Sequence, residues 1–125
     1  MHSNIVVLGG GPGGYAAAFL AADLGMDVTL VESESRLGGT CLLRGCIPSK
    51  ALLHVSKVMD EAVELSEEWG VKFSKPKVNL NRLRDRKNKV ISNLTGGLGQ
   101  LAKKRKVNVI HATGVFELSL IHISE

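Results

Sequence analysis

The chain has 125 residues, of which 44% are apolar and 4% aromatic, and its formal net charge is +4. This size suits one ordinary domain, and the composition fits a soluble α/β domain better than a disordered or fibrous chain. No apolar run approaches the roughly 20 residues that a membrane-spanning helix needs. The N-terminal MHSNIVVLGGG lacks the features of a signal or transit peptide. We therefore expect a cytoplasmic domain without membrane contacts.

Metal ions and nucleic acids are poor candidates for binding partners. A zinc site needs four ligands at short spacings, whereas this chain has two cysteines and its four histidines show no paired spacing. Basic residues cluster at Arg82, Arg84, Arg86, Lys87, Lys89, Lys103, Lys104, Arg105 and Lys106. Aromatic residues that could stack on bases are missing nearby, so a solvated helix face is the better interpretation. We predict neither a metal site nor a nucleic-acid partner.

The N-terminal part of the chain predicts a strand, a glycine turn, a helix and a second strand. Residues 4–8 are apolar and mostly β-branched and run into Gly9, which indicates a buried strand. An alanine-rich helix is predicted over residues 12–24, with Pro12 in its first turn and Gly25 after its end. Residues 27–31 predict the second strand, which Glu32 closes. This βαβ arrangement indicates a parallel sheet.

The rest of the chain predicts two long helices and a third strand. Residues 33–47 contain both cysteines and indicate an irregular active loop or a strained helix start. Apolar residues at helical spacing predict one helix over residues 48–68 and another over residues 80–101, loosened at residues 96–97. Residues 106–111 predict the third strand. The whole pattern predicts an α/β fold of the Rossmann-like type around a parallel sheet.

Residues 9–14 match the G-x-G-x-x-G pattern in an informative context. The pattern follows a predicted strand, opens a helix and precedes an acidic residue at the end of the next strand. We expect Gly9 to permit a sharp turn, Gly11 to let a pyrophosphate approach the backbone, and Gly14 to let the helix pack closely on the strand. Glu32 is placed to bind ribose hydroxyls, and its charge disfavours a 2′-phosphate. The pattern therefore predicts FAD or NAD rather than NADP.

Cys41 and Cys46 are five positions apart in the segment GGTCLLRGCIPSK. In an ideal helix their Cα atoms would lie roughly 8.6 Å apart, whereas a disulfide requires about 4.4–6.8 Å. If the two bond, the backbone must leave the ideal helix between them, and Gly45 makes this departure easy. A strained disulfide is readily reduced, which suits catalysis. Two buried, unreactive thiols in a loop are the alternative at this point.

The segment GGTCLLRGCIPSK resembles the redox signature of the flavin-dependent pyridine nucleotide–disulfide oxidoreductases, which combine it with an N-terminal G-x-G-x-x-G fold and an acidic ribose ligand. The segments GCIPSKALLHVSKVMDEA, KVISNLTGGLGQLAKKRKVNVI and ATGVF are most similar to the bacterial members that oxidise dihydrolipoamide. The resemblance covers roughly residues 4–117. It implies that the chain is part of an FAD-binding Rossmann-like domain.

The resemblance implies a role for each matching position. Cys41 matches the interchange thiol that forms a mixed disulfide with a dithiol substrate, and Cys46 matches the thiol beside the flavin ring. Lys50 matches a lysine near the reactive edge of the flavin, where a cation stabilises the reduced anion. Arg44 departs from the short apolar residue most often found before the Gly-Cys pair, so no role is implied for it. Further matching cofactor positions are Gly39, Thr40 and Gly114.

The resemblance also implies cofactors, partners and further domains. Dihydrolipoamide would reduce the Cys41–Cys46 disulfide, the electrons would pass to FAD, and NAD+ would accept a hydride. The implied partners are the lipoyl domains of 2-oxo acid dehydrogenase complexes and a second subunit of a homodimer, which supplies a histidine base. We expect residues 1–117 to be the N-terminal part of an FAD-binding domain and residues 118–125, LSLIHISE, to be a non-native tail. Without NAD-binding and dimerisation domains, this chain alone is expected to be inactive.

Three alternatives stay open from the sequence. A mercuric or glutathione-type reductase shares the flavin and cysteine motifs and differs in its C-terminal half. A free-standing FAD- or NAD-binding redox module would bind a dinucleotide without catalysis. A basic nucleic-acid binder would show salt-dependent affinity for DNA and no flavin absorbance.

Overall fold

Three strands and four helices lie within residues 3–116, the part of the chain that the computed structural model describes, and three of the helices follow one another between the second and third strands. The strands are β1 (Ile5–Leu8), β2 (Val28–Glu32) and β3 (Asn108–His111). The helices are α1 (Pro12–Asp23), α2 (Gly39–Leu43), α3 (Cys46–Glu68) and α4 (Leu80–Lys104). This order confirms the predicted α/β fold. None of these four helices is long and apolar enough to cross a membrane.

The three strands are parallel and stand in the order β1-β2-β3, so β2 is the central strand. Helix α1 makes the crossover from β1 to β2, as parallel pairing requires. In the register, Leu8 is opposite Val31 and Glu32 is opposite His111. The carboxyl ends of the strands therefore meet at one edge, which is where ligands bind in open α/β sheets.

The core lies between β2, α1 and the C-terminal half of α4. Leu30 on β2 and Ala18 on α1 have no exposed surface, because the small side chains of α1 let the helix approach the sheet closely. Leu98 from α4 packs against the same cluster. On the surface, the Arg105 guanidinium donates to both carboxylate oxygens of Asp23 at 2.9 and 3.0 Å. These contacts hold α4 against the βαβ unit.

The helices around the cysteines differ from the sequence predictions. The short helix α2 lies in the segment predicted as an irregular loop or a strained helix start, and α3 starts at Cys46 instead of residue 48. Pro48 is compatible with this start, because proline is tolerated in the first turn of a helix. The predicted loosening at residues 96–97 is wrong: α4 is continuous there, because Thr95 and Leu98 on either side anchor the helix to the rest of the fold.

Residues 51–90 form an extended helical hairpin, here called the α3–α4 arm, which contains no buried residue. The arm comprises most of α3, the connection over residues 69–79 and the first part of α4. Apolar residues on α3 follow the predicted helical spacing, yet Leu53 is 66% exposed and Val63 is 54% exposed. The apolar residues of the arm therefore have no covering layer within residues 3–116.

Candidate active site

The G-x-G-x-x-G segment forms the turn between β1 and α1. Gly9 has φ +97°, a conformation that glycine adopts without steric cost, and its N–H donates to the Val31 carbonyl at 2.7 Å. A side chain on Gly14 would overlap with the Gly9 carbonyl oxygen, so the helix and the strand approach each other closely here. A side chain on Gly13, in contrast, would have no protein atom within 4 Å. The turn is packed on its strand side and open at Gly13.

Glu32 is buried at the end of β2 and binds the glycine turn directly. Its Oε2 accepts a hydrogen bond from the Gly10 N–H at 2.7 Å. Its Oε1 accepts from the Glu34 N–H at 2.9 Å and from the Ser33 hydroxyl at 3.2 Å. Burial raises the pKa of this carboxyl, but the hydrogen bonds outweigh burial and leave the pKa below its ordinary value. Glu32 is therefore a carboxylate at neutral pH, and Oε2 keeps a lone pair for a further donor.

The start of α2 packs directly on the glycine turn. The Gly38 N–H donates to the Gly10 carbonyl at 2.9 Å. Gly39 has φ +60°, and a side chain there would come within 2.7 Å of the Gly11 Cα, so the two backbones touch. From the other side, the Thr95 hydroxyl on α4 donates to a backbone carbonyl of the β2–α2 loop at 2.5 Å. These contacts place the start of the cysteine segment beside the predicted dinucleotide turn.

Both cysteines lie at a break between two helices. Cys41 is in α2 and Cys46 is the first residue of α3, and the backbone leaves the helical conformation at Arg44 and Gly45. This is the departure that the spacing of the cysteines requires if they are to approach each other. Both are free thiols whose ionisations influence each other, with Cys41 half-buried and Cys46 exposed. The structure therefore presents a reduced pair of neighbouring thiols.

The hydrogen bond between the thiols separates their acidities. The Cys41 thiol donates to Cys46, which lowers the pKa of Cys46 and raises that of Cys41. Partial burial raises both pKa values, while the Cys46 N–H at the start of α3 and the positive charge of Lys50 lower them. Cys46 is therefore the thiol that ionises first, and Cys41 remains protonated as its donor.

Arg44 has a partner that the sequence does not indicate. Its guanidinium forms an ion pair with Glu34 at 2.5 Å, and the Glu34 N–H in turn binds Glu32. Glu34 therefore connects Arg44, which lies between the two cysteines, to the buried carboxylate of Glu32. Because the Arg44 side chain is 61% exposed, we expect this ion pair to contribute little to stability.

The other predicted site positions lie near the glycine turn and the sheet edge. Thr40 is exposed on α2. Gly114 follows β3, where a side chain would overlap with Leu8 at the end of β1. Close by, the Ala112 N–H donates to the Glu32 carbonyl at 3.0 Å. Gly114 therefore lies at the same sheet edge as the glycine turn.

Sequence reasoning missed Gly10 and Thr95. A side chain on Gly10 would come within 2.8 Å of Glu32 Oε2, so the protein itself requires a glycine there. The run of three glycines at the end of β1 is the signal that could have indicated this position. Thr95 lies on the buried face of α4. No spacing rule distinguishes a threonine that only packs from one that bonds to a distant loop.

The comparison with known proteins agrees with this geometry. Residues 3–120, which include the glycine turn, Glu32 and both cysteines, match the family model described as pyridine nucleotide-disulphide oxidoreductase. The chain belongs to this family.

Curated relatives match over most of this chain. The dihydrolipoyl dehydrogenase of Vibrio cholerae is 54% identical over 116 residues, which are 93% of this chain and 24% of the relative. The dihydrolipoyl dehydrogenase of Haemophilus influenzae is 51% identical with the same coverage. A leghemoglobin reductase of Vigna unguiculata is 48% identical, over 92% of this chain and 22% of the relative. The chain thus spans about a quarter of the length of the relatives it matches.

Proposed function

We propose that the chain is the N-terminal part of the FAD-binding domain of a dihydrolipoyl dehydrogenase, which oxidises dihydrolipoamide and reduces NAD+. One observation carries the proposal: the break between α2 and α3 brings Cys41 and Cys46 together as two interacting free thiols, with α2 packed on the glycine turn. Relatives of that name at 54% and 51% identity support it. They favour it over a mercuric or glutathione-type reductase and over a non-catalytic dinucleotide-binding module.

The residues around the glycine turn fit the pyrophosphate and ribose of FAD. A side chain on Gly11 would meet only the Gly39 Cα, at 3.8 Å, so the protein does not fill the space in front of the turn. The start of α1 has no side-chain cap, which leaves its N–H groups available to phosphate oxygens. Glu32 Oε2 has a lone pair left for a ribose hydroxyl. The proposed FAD-binding residues are Gly9, Gly11, Gly14, Glu32, Gly39, Thr40, Lys50 and Gly114.

Cys41 and Cys46 would carry the exchange with the substrate. Starting from the disulfide, a thiolate of dihydrolipoamide attacks Cys41 Sγ, the Cys41–Cys46 bond breaks, and Cys46 leaves as a thiolate. The second substrate thiol, once deprotonated, displaces Cys41 Sγ, so that lipoamide leaves as a disulfide and Cys41 takes up a proton. The lowered pKa of Cys46 makes it the better leaving group. Bound FAD supplies the acceptor for the electron pair that the two thiols now hold.

Lys50 and a hollow beside Cys41 support these roles. Lys50 lies one turn after Cys46 on α3, and its charge favours the thiolate. Cys41 lines a mostly apolar hollow of about 210 Å³ whose wall includes Tyr15 and Leu94. An aliphatic dithiol could enter this hollow, while a flavin at Cys46 would cover the thiol that is now exposed. This arrangement supports Cys41 as the interchange thiol.

The proposal extends to partners and to parts of a longer protein. The chain spans about a quarter of the length of its dihydrolipoyl dehydrogenase relatives, and the NAD site, the dimerisation domain and the histidine base would lie in the rest of that length. The lipoyl domains of 2-oxo acid dehydrogenase complexes would deliver the substrate, and a second subunit would complete the site. Residues 1–117 would be part of the FAD-binding domain; residues 118–125, the proposed non-native tail, lie outside the described residues. We expect no lipoamide-dependent NADH turnover from this chain alone.

Thiol counting and FAD retention test the proposal together. The oxidised chain, treated with dihydrolipoamide before FAD is added, should gain two free thiols, whereas Cys41→Ser and Cys46→Ser should gain none. Glu32→Ala should lose FAD on gel filtration, because the ribose contact and the hydrogen bond to Gly10 are both removed. Asp27→Ala, which removes an exposed carboxylate at the other end of β2, is the matched control and should retain FAD. A wild-type chain that binds FAD but whose disulfide resists dihydrolipoamide would argue for the non-catalytic module.

A further inference from the structure

The backbone of Glu34 is fixed to the sheet from two sides. Its N–H donates to Glu32 Oε1 at 2.9 Å, and its carbonyl accepts a hydrogen bond from His111 Nδ1 at 2.7 Å. Glu32 is buried at the end of β2, and His111 is the last residue of β3. Glu34 is therefore anchored to the carboxyl ends of two neighbouring strands, which holds its carboxylate at a defined place beside the sheet edge.

The anchored carboxylate of Glu34 binds the turn between the two cysteines. Its Oε1 accepts a hydrogen bond from the Arg44 guanidinium at 2.5 Å. Arg44 follows the last residue of α2 and lies between Cys41 and Cys46 in the chain. The family resemblance implies no role for an arginine at this position. The ion pair nevertheless connects the turn that separates the two thiols to the end of β2.

The backbone hydrogen bonds of this turn do not reach the sheet. The Arg44 N–H donates to the Thr40 carbonyl at 2.9 Å and closes the last turn of α2. The Ser49 N–H donates to the Gly45 carbonyl at 3.0 Å and closes the first turn of α3. Both bonds lie inside the cysteine segment, so they fix each helix end without fixing the turn relative to β2. Among the hydrogen bonds and ion pairs of residues 44 and 45 within the described part of the chain, the Arg44–Glu34 ion pair is the one that reaches outside this segment.

We propose that Arg44 is a positioning residue for the redox exchange of Cys41 and Cys46 and that it acts through its ion pair with Glu34. The ion pair holds the turn between α2 and α3 against the end of β2, so the thiols need little further ordering of the backbone to form a disulfide. Restricting the reduced chain before the bond closes lowers the entropic cost of closure. The ion pair therefore shifts the equilibrium toward the disulfide and makes the disulfide harder to reduce.

An exposed ion pair contributes little to global stability, but it can act on a local equilibrium. The Arg44 side chain is 61% exposed and the Glu34 side chain 39% exposed, so water and salt weaken their attraction. Both side chains stand outside the core cluster around Leu30, so the fold does not depend on them. The disulfide equilibrium is set at the cysteines on either side of Arg44, where the contribution of the ion pair acts directly. This inference rests on the proposed function, in which Cys41 and Cys46 form a redox-active disulfide.

A redox titration of the chain tests the proposal. Wild type and Arg44→Met are equilibrated with reduced and oxidised dithiothreitol, where each protein disulfide that is reduced gives two protein thiols and one oxidised dithiothreitol. Alkylation followed by mass spectrometry counts the thiols. Arg44→Met keeps an unbranched side chain but removes the charge, so its disulfide should form with an equilibrium constant about twofold to fivefold lower, the range for an exposed ion pair.

A charge swap and a change of salt test whether the ion pair is the cause. The variant Arg44→Glu/Glu34→Arg restores opposite charges and keeps the backbone contacts of residue 34, so it should recover most of the wild-type constant. Raising the salt from about 0.1 M to about 1 M should lower the wild-type constant by a similar factor, because the attraction is screened. Arg44→Met should respond less to salt. The salt titration of the wild type requires no substituted chain to fold.

Arg36→Met is the matched control, because it removes the same charge from the exposed β2–α2 loop and leaves the Arg44–Glu34 ion pair intact. It should keep the wild-type constant, and equal circular dichroism of all variants would exclude unfolding as the cause. The proposal is overturned if Arg44→Met keeps the wild-type constant, if the charge swap recovers nothing, or if Arg36→Met lowers the constant equally. In these cases the redox pair itself stands. A wild-type chain that forms no Cys41–Cys46 disulfide in any of the buffers would overturn the proposed function as well.

Discussion

Cys41 and Cys46 differ chemically because they occupy different places at one helix break. Cys46 begins α3, where the backbone N–H and the charge of Lys50 one turn later favour a thiolate. Cys41 is half-buried and lines the apolar hollow, and its interaction with Cys46 as a hydrogen-bond donor raises its pKa. The sequence shows that two cysteines are near each other in the chain, but the division of roles depends on which of them accepts the hydrogen bond.

Removing the donor should make Cys46 less acidic. In Cys41→Ala the pKa of Cys46 should rise, and its alkylation by iodoacetamide near neutral pH should slow, because the interaction with Cys41 that lowers the pKa of Cys46 is lost. The pH dependence of alkylation, followed by peptide mass spectrometry, measures the shift. Cys41→Ser keeps a hydroxyl donor and should retain most of the acidity. Identical profiles for the alanine variant and the wild type would show that Cys41 does not tune Cys46.

At the scale of secondary-structure elements, the contact between β1 and α1 positions the glycine turn. Helix α1 can start directly after the strand because Gly9 has a positive φ and Gly14 has no side chain to push the helix away. The adjacent Gly13 is in the same helical turn but faces open space. Two neighbouring glycines in one helix turn therefore have different structural requirements.

Alanine substitutions at these two positions should have opposite effects on stability. Gly14→Ala should lower the free energy of unfolding by about 2 kcal/mol or more, because the new side chain overlaps with backbone and α1 must shift. Gly13→Ala should be neutral or raise it by up to about 1 kcal/mol, because alanine is the better helix former. Urea denaturation measures both. Equal destabilisation by the two changes would contradict the close contact between α1 and β1.

At the scale of the whole molecule, Glu32 joins segments that are far apart in the chain. Its carboxylate binds the glycine turn and the β2–α2 loop, and its backbone carbonyl accepts from the residue after β3. The pKa of this carboxyl is lower in the folded chain than its ordinary value. The unfolded chain therefore takes up a proton at higher pH than the folded chain does, and acid favours unfolding.

The pH dependence of stability should report this carboxylate. Its contribution is fully present above the ordinary glutamate pKa of about 4.3 and is lost as the pH falls through the lowered folded value. In Glu32→Gln the free energy of unfolding should be about 1–3 kcal/mol lower at neutral pH, and its decline in acid should be shallower than in the wild type. Denaturant titrations between neutral and acidic pH measure this slope. Asp27→Asn should keep the wild-type slope, and a Glu32→Gln slope equal to the wild type would contradict the role of Glu32.

Local patterns were sufficient to predict the order of the strands and of the three long helices, while the roles of the site residues stay predictions. The apolar runs ending at Gly9 and Glu32, together with the glycine spacing, indicated β1, α1, β2 and the dinucleotide turn, because these features depend on neighbours a few positions apart. The spacing of Cys41 and Cys46 predicted that a bonded pair would need a break in the helix, and the structure contains that break at Arg44 and Gly45.

Contacts between segments that are far apart in the sequence were decided only by the tertiary structure. The hydrogen bond between Gly10 and Glu32 joins residues 22 positions apart, and the hydrogen bond from Thr95 to the β2–α2 loop joins residues 58 positions apart. Sequence spacing does not distinguish either donor from a residue that only packs in the core. The same holds for the α3–α4 arm: its helical periodicity predicted an apolar face, but whether that face is buried depends on which other segments reach it. The sequence by itself determined which strands and long helices form and which residues are candidates for the site, because these follow from local geometry and residue type. The three-dimensional packing decided which thiol is acidic, which carboxylate supports the glycine turn and which apolar face is left uncovered, because each depends on segments that meet only after folding.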